Sequence, residues 1–339
     1  MSRQFLPSGK IDKFDIIPAM RIHVLALDGA FDTGLATILD TLSVANDLAS
    51  SASVSTPSLE ITVIGVRRRI RTSQGLSVPA VPVARCGRPD VVLIPALGAK
   101  MPEALHVALE RPDVLDAGGL LRQWADSGVL IGAACTGTFV LADTLLLDGQ
   151  SATTSWWLAP LFRERYPRVI LEESRMVVSS SGFVTAGAAL AHVDLALWLV
   201  RRSSPTLAAL TARFLSIEPR SSQAIFAISD HLAHNDPLVE RFERWARCNL
   251  AEGFSLTDAA GATSTSERTL SRRLRAVLGK TPLSYFQDLR VERAVHLLRT
   301  SSDSVDLIAS QVGYADGATL RALLRRKIGR TVSELRTRY

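Results

Sequence analysis

Ser266-Glu267-Arg268-Thr269-Leu270-Ser271-Arg272-Arg273-Leu274-Arg275-Ala276-Val277-Leu278-Gly279 reads as one amphipathic helix closed by a glycine. Leu270, Leu274, Val277 and Leu278 stand at i, i+4, i+7 and i+8, so one apolar stripe faces a core. Arg268, Ser271, Arg272 and Arg275 fall on the opposite face. Gly279 tolerates the positive φ that ends a helix. Upstream, a short helix is predicted from about Leu256 to Ala260, with Gly261 in the turn. Ser264, three residues before Glu267, is expected to open the longer helix as a capping box.

The pattern occurs twice. At an offset of fifty residues, Thr269-Leu270 falls on Thr319-Leu320, Leu274-Arg275 on Leu324-Arg325 and Leu278-Gly279 on Ile328-Gly329. The second copy predicts a short helix from about Val305 to Gln311, a turn at Gly313, and Asp316 as the next N-cap. Leu320, Leu324 and Ile328 face inward there, and Arg321 and Arg325 outward. Between the copies, Thr281-Pro282 opens a helix to about Arg299, with proline at its first position. Such a rod, ~26 Å long at 1.5 Å per residue, can hold two units about one DNA turn apart, roughly 34 Å.

Charge supports that reading. The chain has 339 residues and a net charge of +6. From Leu250 onward fifteen Lys and Arg meet nine Asp and Glu, so the whole positive excess lies in the last quarter. That is the electrostatic footprint of phosphate contact. Residues 254–339 resemble the AraC/XylS-type DNA-binding domain. The resemblance rests on Ser255-Leu256-Thr257-Asp258-Ala259-Ala260, Gly279-Lys280-Thr281-Pro282, Leu289-Arg290-Val291-Glu292-Arg293-Ala294, Ile308-Ala309 and Gly313-Tyr314-Ala315-Asp316. It implies base-facing roles for Arg268, Ser271 and Arg272. In the second unit Gly317, Ala318 and Ala322 occupy matching positions and leave Arg321 as the polar candidate. Arginine can bond guanine at two atoms and alanine cannot. The first unit is therefore expected to carry most base choice and the second mainly to anchor to phosphates through Arg325 and its neighbours, with Arg275 also among the DNA-binding residues.

Residues 21–203 alternate strands with helices. Arg21–Leu27, Glu60–Val66, Val91–Pro95 and Leu130–Ala134 are apolar runs of the kind parallel strands make when buried on both faces. Helices are predicted over Asp32–Ala49, Gly118–Ser127, Thr138–Leu146 and Gly187–Arg201. The expected class is an α/β N-terminal domain, a doubly wound parallel sheet of flavodoxin-like, amidotransferase-like type, followed by an all-α double helix-turn-helix domain. Residues 1–20 are expected to form a flexible tail, 204–249 a helical connector and 250–339 the DNA-binding domain. Asn235-Asp236-Pro237 should start a helix whose Leu238, Phe242 and Trp245 pack on the first unit.

The strand Val129–Ala134 runs into Cys135-Thr136-Gly137-Thr138 and then a helix, which is how a nucleophile elbow is built. Residues 22–200 resemble the class I glutamine-amidotransferase-like superfamily, in the branch of the intracellular proteases. The carrying residues are Asp28-Gly29-Ala30-Phe31-Asp32, Ile131-Gly132-Ala133-Ala134-Cys135-Thr136-Gly137, Ala152-Thr153-Thr154-Ser155-Trp156 and Thr185-Ala186-Gly187. The branch commonly places histidine where this chain has Ser155, and often another where it has Thr136. A thiol nucleophile needs a base, and His23 and His192 could reach it only through folding. A cleft without its base suggests a sensor, so Asp32, Cys135, Thr136 and Ser155 are the expected effector-lining residues. The joined domains resemble the GlxA-like group of regulators, and Arg220-Ser221-Ser222-Gln223 its connector.

The implied partners are double-stranded DNA, a second copy of the chain, a small-molecule effector and, for an activator, RNA polymerase. The rival reading is a bifunctional cysteine-dependent hydrolase or amidotransferase fused to a DNA-binding module. Cys86, Cys135 and Cys248 are too few and odd in number for a disulfide framework. With no signal peptide or membrane-spanning stretch visible, a reducing cytoplasm is expected. His231 and His234 lie near Asp230 and Asp236 without clear further ligands, so no metal or cofactor is expected. Arg67-Arg68-Arg69 with Arg71 reads as a solvated loop.

Overall fold

A computed structural model describes residues 19–51, 56–228, 232 and 234–336. The tail expected over 1–20 lies, up to residue 18, outside the described residues, as does His231.

Seven strands form one sheet in the spatial order Val177–Ser180, Phe183–Ala186, Leu130–Ala134, Val91–Ile94, Met20–Leu25, Leu59–Gly65 and Val81–Pro82. All neighbours run parallel except the first pair. The four predicted strands are present, Leu130–Ala134 with the same ends and the other three with ends shifted by two residues at most. Strand alternation splits their side chains between two apolar layers. Ile22, Val24, Val91 and Leu93 join Leu35, Ile38, Leu42, Leu195 and Leu199 on one face. Leu25, Val92, Ile94 and Ile131 join Leu105, Leu121 and Phe139 on the other. Helices Asp32–Ser51 and His192–Ser203 cover the first layer, and Pro102–Leu109, Pro112–Asp126 and Gly137–Ala142 the second. Helix Pro205–Phe214 adds Leu207 and Ala208 to the first layer.

The antiparallel pair Val177–Ser180 and Phe183–Ala186 was absent from the sequence reading, yet it carries a signal. Ser181-Gly182 joins the strands with both residues at positive φ, 43° and 87°, as a two-residue hairpin turn requires.

The C-terminal region is helical. Pro237–Cys248 is capped by Asp236, whose carboxylate accepts from the amides of Leu238 and Val239. It contributes Val239, Phe242 and Ala246 to a core with Ala259, Leu270, Leu274 and Leu278. Helix Pro282–Thr300 begins at the cap Thr281 and serves two cores. Tyr285, Phe286 and Leu289 pack with the first unit; Val291, Ala294, Val295 and Leu298 pack with Ile308, Leu320 and Leu324 of the second. At 19 residues it is ~28 Å long.

One local expectation is corrected. The cap of helix Glu267–Leu278 is Ser266, whose hydroxyl accepts from the Thr269 amide at 3.2 Å. Ser264 instead sits at φ 54° in the turn, and Gly261 lies inside helix Leu256–Ala262. Glu267 uses its carboxylate on the Thr257 hydroxyl, 2.5 Å away, and so ties the two helices of the unit together. In the second unit Asp316 caps Gly317–Ile328 as predicted, accepting from the Thr319 amide at 2.7 Å.

Candidate functional site

Sequence spacing puts five arginines on the outer faces of the two longer helices, and all five are exposed: Arg268, Arg272, Arg275, Arg321 and Arg325. Ser271 is half-buried. Among the described residues none of these five closes an ion pair. Two other arginines of the region are engaged within the protein. Arg273 pairs with the cap Asp236, joining the preceding helix to the first unit. Arg290 is 7% exposed and lies over the rings of Phe286 and Tyr314, 4.7 and 5.0 Å from their centroids. It also donates to the carbonyls of Leu250 and Glu252. A guanidinium held this way is structural, whereas unpaired ones on a convex helix face are available to phosphates and base edges.

Both longer helices end on a left-handed glycine, Gly279 at φ 69° and Gly329 at φ 67°. At Gly279 the absence of a side chain has a second use. An added Cβ would lie 2.5 Å from the Arg163 guanidinium, which donates to the Val277 carbonyl at 3.0 Å. The α/β domain thus touches the end of the first unit's longer helix.

In the α/β domain, strand Leu130–Ala134 ends at Cys135, which adopts φ 55° before helix Gly137–Ala142. The elbow geometry is present. The Cys135 amide donates to the Ala186 carbonyl of the neighbouring strand, and the Thr154 hydroxyl donates to the Cys135 carbonyl, both at 2.8 Å. Ser155, in place of a histidine, sits with Oγ 2.8 Å from the Cys135 sulfur. Burial pushes the thiol up to about 11, although hydrogen bonds with Ser155 and Thr136 pull the other way. Such a thiol stays protonated near neutrality.

Among the described residues neither histidine hydrogen-bonds to the Cys135 sulfur. His192 is fully buried, its Nε2 accepts from the Ala96 amide at 3.0 Å, and its Nδ1 donates to the Ala189 carbonyl at 2.9 Å. Burial lowers its pKa to about 4, against the opposing pull of that carbonyl. His23 lies in strand Met20–Leu25, buried, with Nδ1 unpartnered.

Of the four expected effector-lining residues, Cys135 and Ser155 meet directly. Thr136 is adjacent, but its hydroxyl donates to the Leu97 carbonyl at 2.7 Å. Asp32 turns to another loop, accepting from the hydroxyls of Thr72 and Ser73 and the amide of Gln74. Burial alone would raise its carboxyl, but those donors outweigh it and hold it below the usual range. The run after strand Leu59–Gly65 is partly paired, with Arg67 against Asp28 at 3.1 Å. His234 pairs with Glu243 at 3.2 Å, and no metal-binding cluster is present among the described residues.

Sequence reasoning missed the role of Gln223. This fully buried amide donates to the carbonyls of Thr154 and Glu173, at 2.8 and 2.9 Å, and lies against Gly187. It ties the connector to the segment that carries Ser155. Its place in Arg220-Ser221-Ser222-Gln223 was the available signal.

Comparison with known proteins follows the same division. A helix-turn-helix domain model matches residues 259–338, and a DJ-1/PfpI family model matches residues 20–202. The HTH-type transcriptional regulator GbdR of Pseudomonas aeruginosa is 28% identical over 212 residues, 61% of this chain and 58% of that protein. ArgR of the same species is 28% identical over 218 residues, 63% of this chain and 66% of its own. GlxA of Rhizobium meliloti is 26% identical over 240 residues, covering 66% and 74%. The chain thus spans a little over half the length of GbdR. No described helix is long and apolar enough to cross a membrane. With its α/β region matched over more than half of the sequence, the chain belongs to the DJ-1/PfpI family, joined here to a C-terminal helix-turn-helix domain.

Proposed function

We propose that this chain is a sequence-specific DNA-binding transcriptional regulator, working in the cytoplasm as a homodimer, whose α/β domain senses a small molecule. The observation that carries the reading is the repeated helix with five exposed arginines on its outer faces, none of them in an ion pair among the described residues. Arg268, Ser271 and Arg272 read bases, Arg321 adds one contact from the second unit, and Arg275 and Arg325 hold phosphates. Cys135, Thr136, Ser155 and Asp32 belong to the sensing region, and an activator of this kind would also touch RNA polymerase. Selection from a random duplex pool by the full chain, followed by affinity measurements at several salt concentrations, tests it. A preferred sequence whose affinity falls steeply with salt is expected. The same weak affinity for every duplex would end the reading.

The retained elbow, with Cys135 at φ 55°, favours a second reading, a cysteine hydrolase fused to the DNA-binding module. Against it stand the raised thiol and the two committed nitrogens of His192. Turnover of an ester or amide panel that disappears in Cys135→Ser would establish the enzyme.

A further inference from the structure

A line of polar contacts runs from the elbow to the ends of both longer helices. The Cys135 carbonyl accepts from Thr154, whose own carbonyl accepts from Gln223. Gln223 also donates to the Glu173 carbonyl. The Glu173 carboxylate then binds Arg163 at 2.6 Å with one oxygen and Lys280 at 3.2 Å with the other. Lys280 follows the glycine that ends the first helix, and its ammonium also meets Asp288 at 3.1 Å. Asp288, on the helix between the units, holds Lys327 at 2.8 Å, in the last turn of the second helix. Burial alone would lower the Lys280 ammonium, but Glu173 and Asp288 outweigh it and hold it above the ordinary lysine range.

This chain of charges is not enclosed by dense packing. It borders a cavity of about 1250 Å3 between the domains, lined among others by Trp156, Glu173, Lys280, Asp288 and Lys327. Contacts beside an open space can part without breaking an apolar core. They also differ in kind: Arg163 and Glu173 grip the end of the first unit with charged groups, while the second is joined to Glu173 by way of Lys280 and Asp288 and otherwise meets the connector at Ile225 and Glu218.

We propose that Glu173 is a positioning residue that latches the α/β domain to the first helix-turn-helix unit, and that the latched arrangement binds DNA less tightly than the released one. The inference rests on the DNA-binding reading above. A latched first unit cannot adjust independently of the α/β domain when two helices must enter successive grooves. Glu173 also occupies Lys280, a cation beside the helix end. Rearrangement at the Cys135 elbow would reach Glu173 through Gln223, in contact with a two-state element as coupling requires.

Glu173→Gln and Arg163→Gln test the proposal because they change the charge of the protein in opposite senses. Their affinities for a duplex selected by the full wild-type chain are compared with wild type and with the double variant. Hydrogen exchange of the amides from 277 to 281 is followed in parallel. Both single variants should bind tighter, on the order of 2- to 30-fold. The double variant should gain no more than the better single one, and exchange at 277–281 should accelerate in all three. Glu60→Gln serves as the control, since it removes an equal charge from an exposed residue of the α/β domain. Opposite shifts in the two single variants would reveal a simple field effect and overturn the latch, as would weaker binding in both or unchanged exchange. If the wild-type chain selects no duplex, the DNA-binding reading fails instead, and the exchange measurement still decides whether Glu173 joins the domains.

Discussion

The sulfur of Cys135 stands 2.8 Å from the hydroxyl oxygen of Ser155, at a buried position that leaves the thiol residue 4% exposed and the serine 0%. The hydroxyl exchanges a hydrogen bond with the thiol but cannot act as a base toward it near neutral pH. With the thiol pushed up to about 11, the thiolate fraction at pH 7 is on the order of 10⁻⁴. Iodoacetamide should therefore modify exposed Cys248 first, half-buried Cys86 slowly, and Cys135 only after unfolding. Stoichiometric alkylation of Cys135 in the folded protein, read by peptide mass mapping, would contradict this order.

His192 should make the fold sensitive to acid. Its folded value, lowered to about 4, lies below the ordinary 6.5, so the unfolded chain takes up the proton first. The stabilisation is complete above pH 6.5 and is lost as pH falls from there to about 4. Its limit is ~3 kcal/mol. His192→Gln keeps an acceptor available for the Ala96 amide but cannot titrate. Urea midpoints measured from pH 7 to 4 should decline less steeply in this variant; parallel curves would refute the assignment.

Gln223 faces acceptors with its amide nitrogen: the Thr154, Glu173 and Arg175 carbonyls and the Thr153 hydroxyl oxygen. Gln223→Ala should cost ~1–3 kcal/mol by leaving those groups without their donor. Gln223→Glu should cost more, because it turns an acceptor, and at neutral pH a charge, toward the same carbonyls. Thermal melts give the order, and a milder effect of glutamate would contradict it.

Arg290 should not tolerate lysine. Its planar group stacks on Phe286 and Tyr314 while reaching two carbonyls, and an ammonium can do only part of that. A loss of ~1–3 kcal/mol is expected for Arg290→Lys in chemical unfolding. A change within about 0.5 kcal/mol, the scatter of ordinary surface substitutions, would rule the role out.

On DNA, Arg272→Ala should cost ~1–3 kcal/mol at the selected site and broaden base preference there. Arg325→Ala should weaken all duplexes alike and reduce the salt slope by about one. If Arg321→Ala abolished preference while Arg272→Ala did not, the assignment of base reading to the first unit would be reversed.

Most of the framework was legible because its signals are local. Apolar runs marked four parallel strands, and periodic leucines with closing glycines marked both longer helices. The fifty-residue offset then required one structure twice. Ser264 and Ser266 show where local signals stop: both stand near Glu267, and the backbone of the turn decides between them, with Ser264 at φ 54°. The elbow at Cys135 was readable from strand, cysteine and glycine in succession. The contacts of Gln223, Glu173, Arg163 and Lys280 were not. They join polar side chains far apart along the chain, and such pairings leave no periodicity.

Helix Pro282–Thr300 runs unbroken through both cores of the C-terminal region, so its length works as an angular setting. One residue inserted near its middle would rotate everything beyond by about 100° and advance it by about 1.5 Å. Arg321 and Arg325 would then turn by that angle relative to Arg268 and Arg272, away from the placement proposed for them on the duplex. Operator spacing would thus be counted out in helical residues, and a length change harmless in a surface loop would here leave one groove unread.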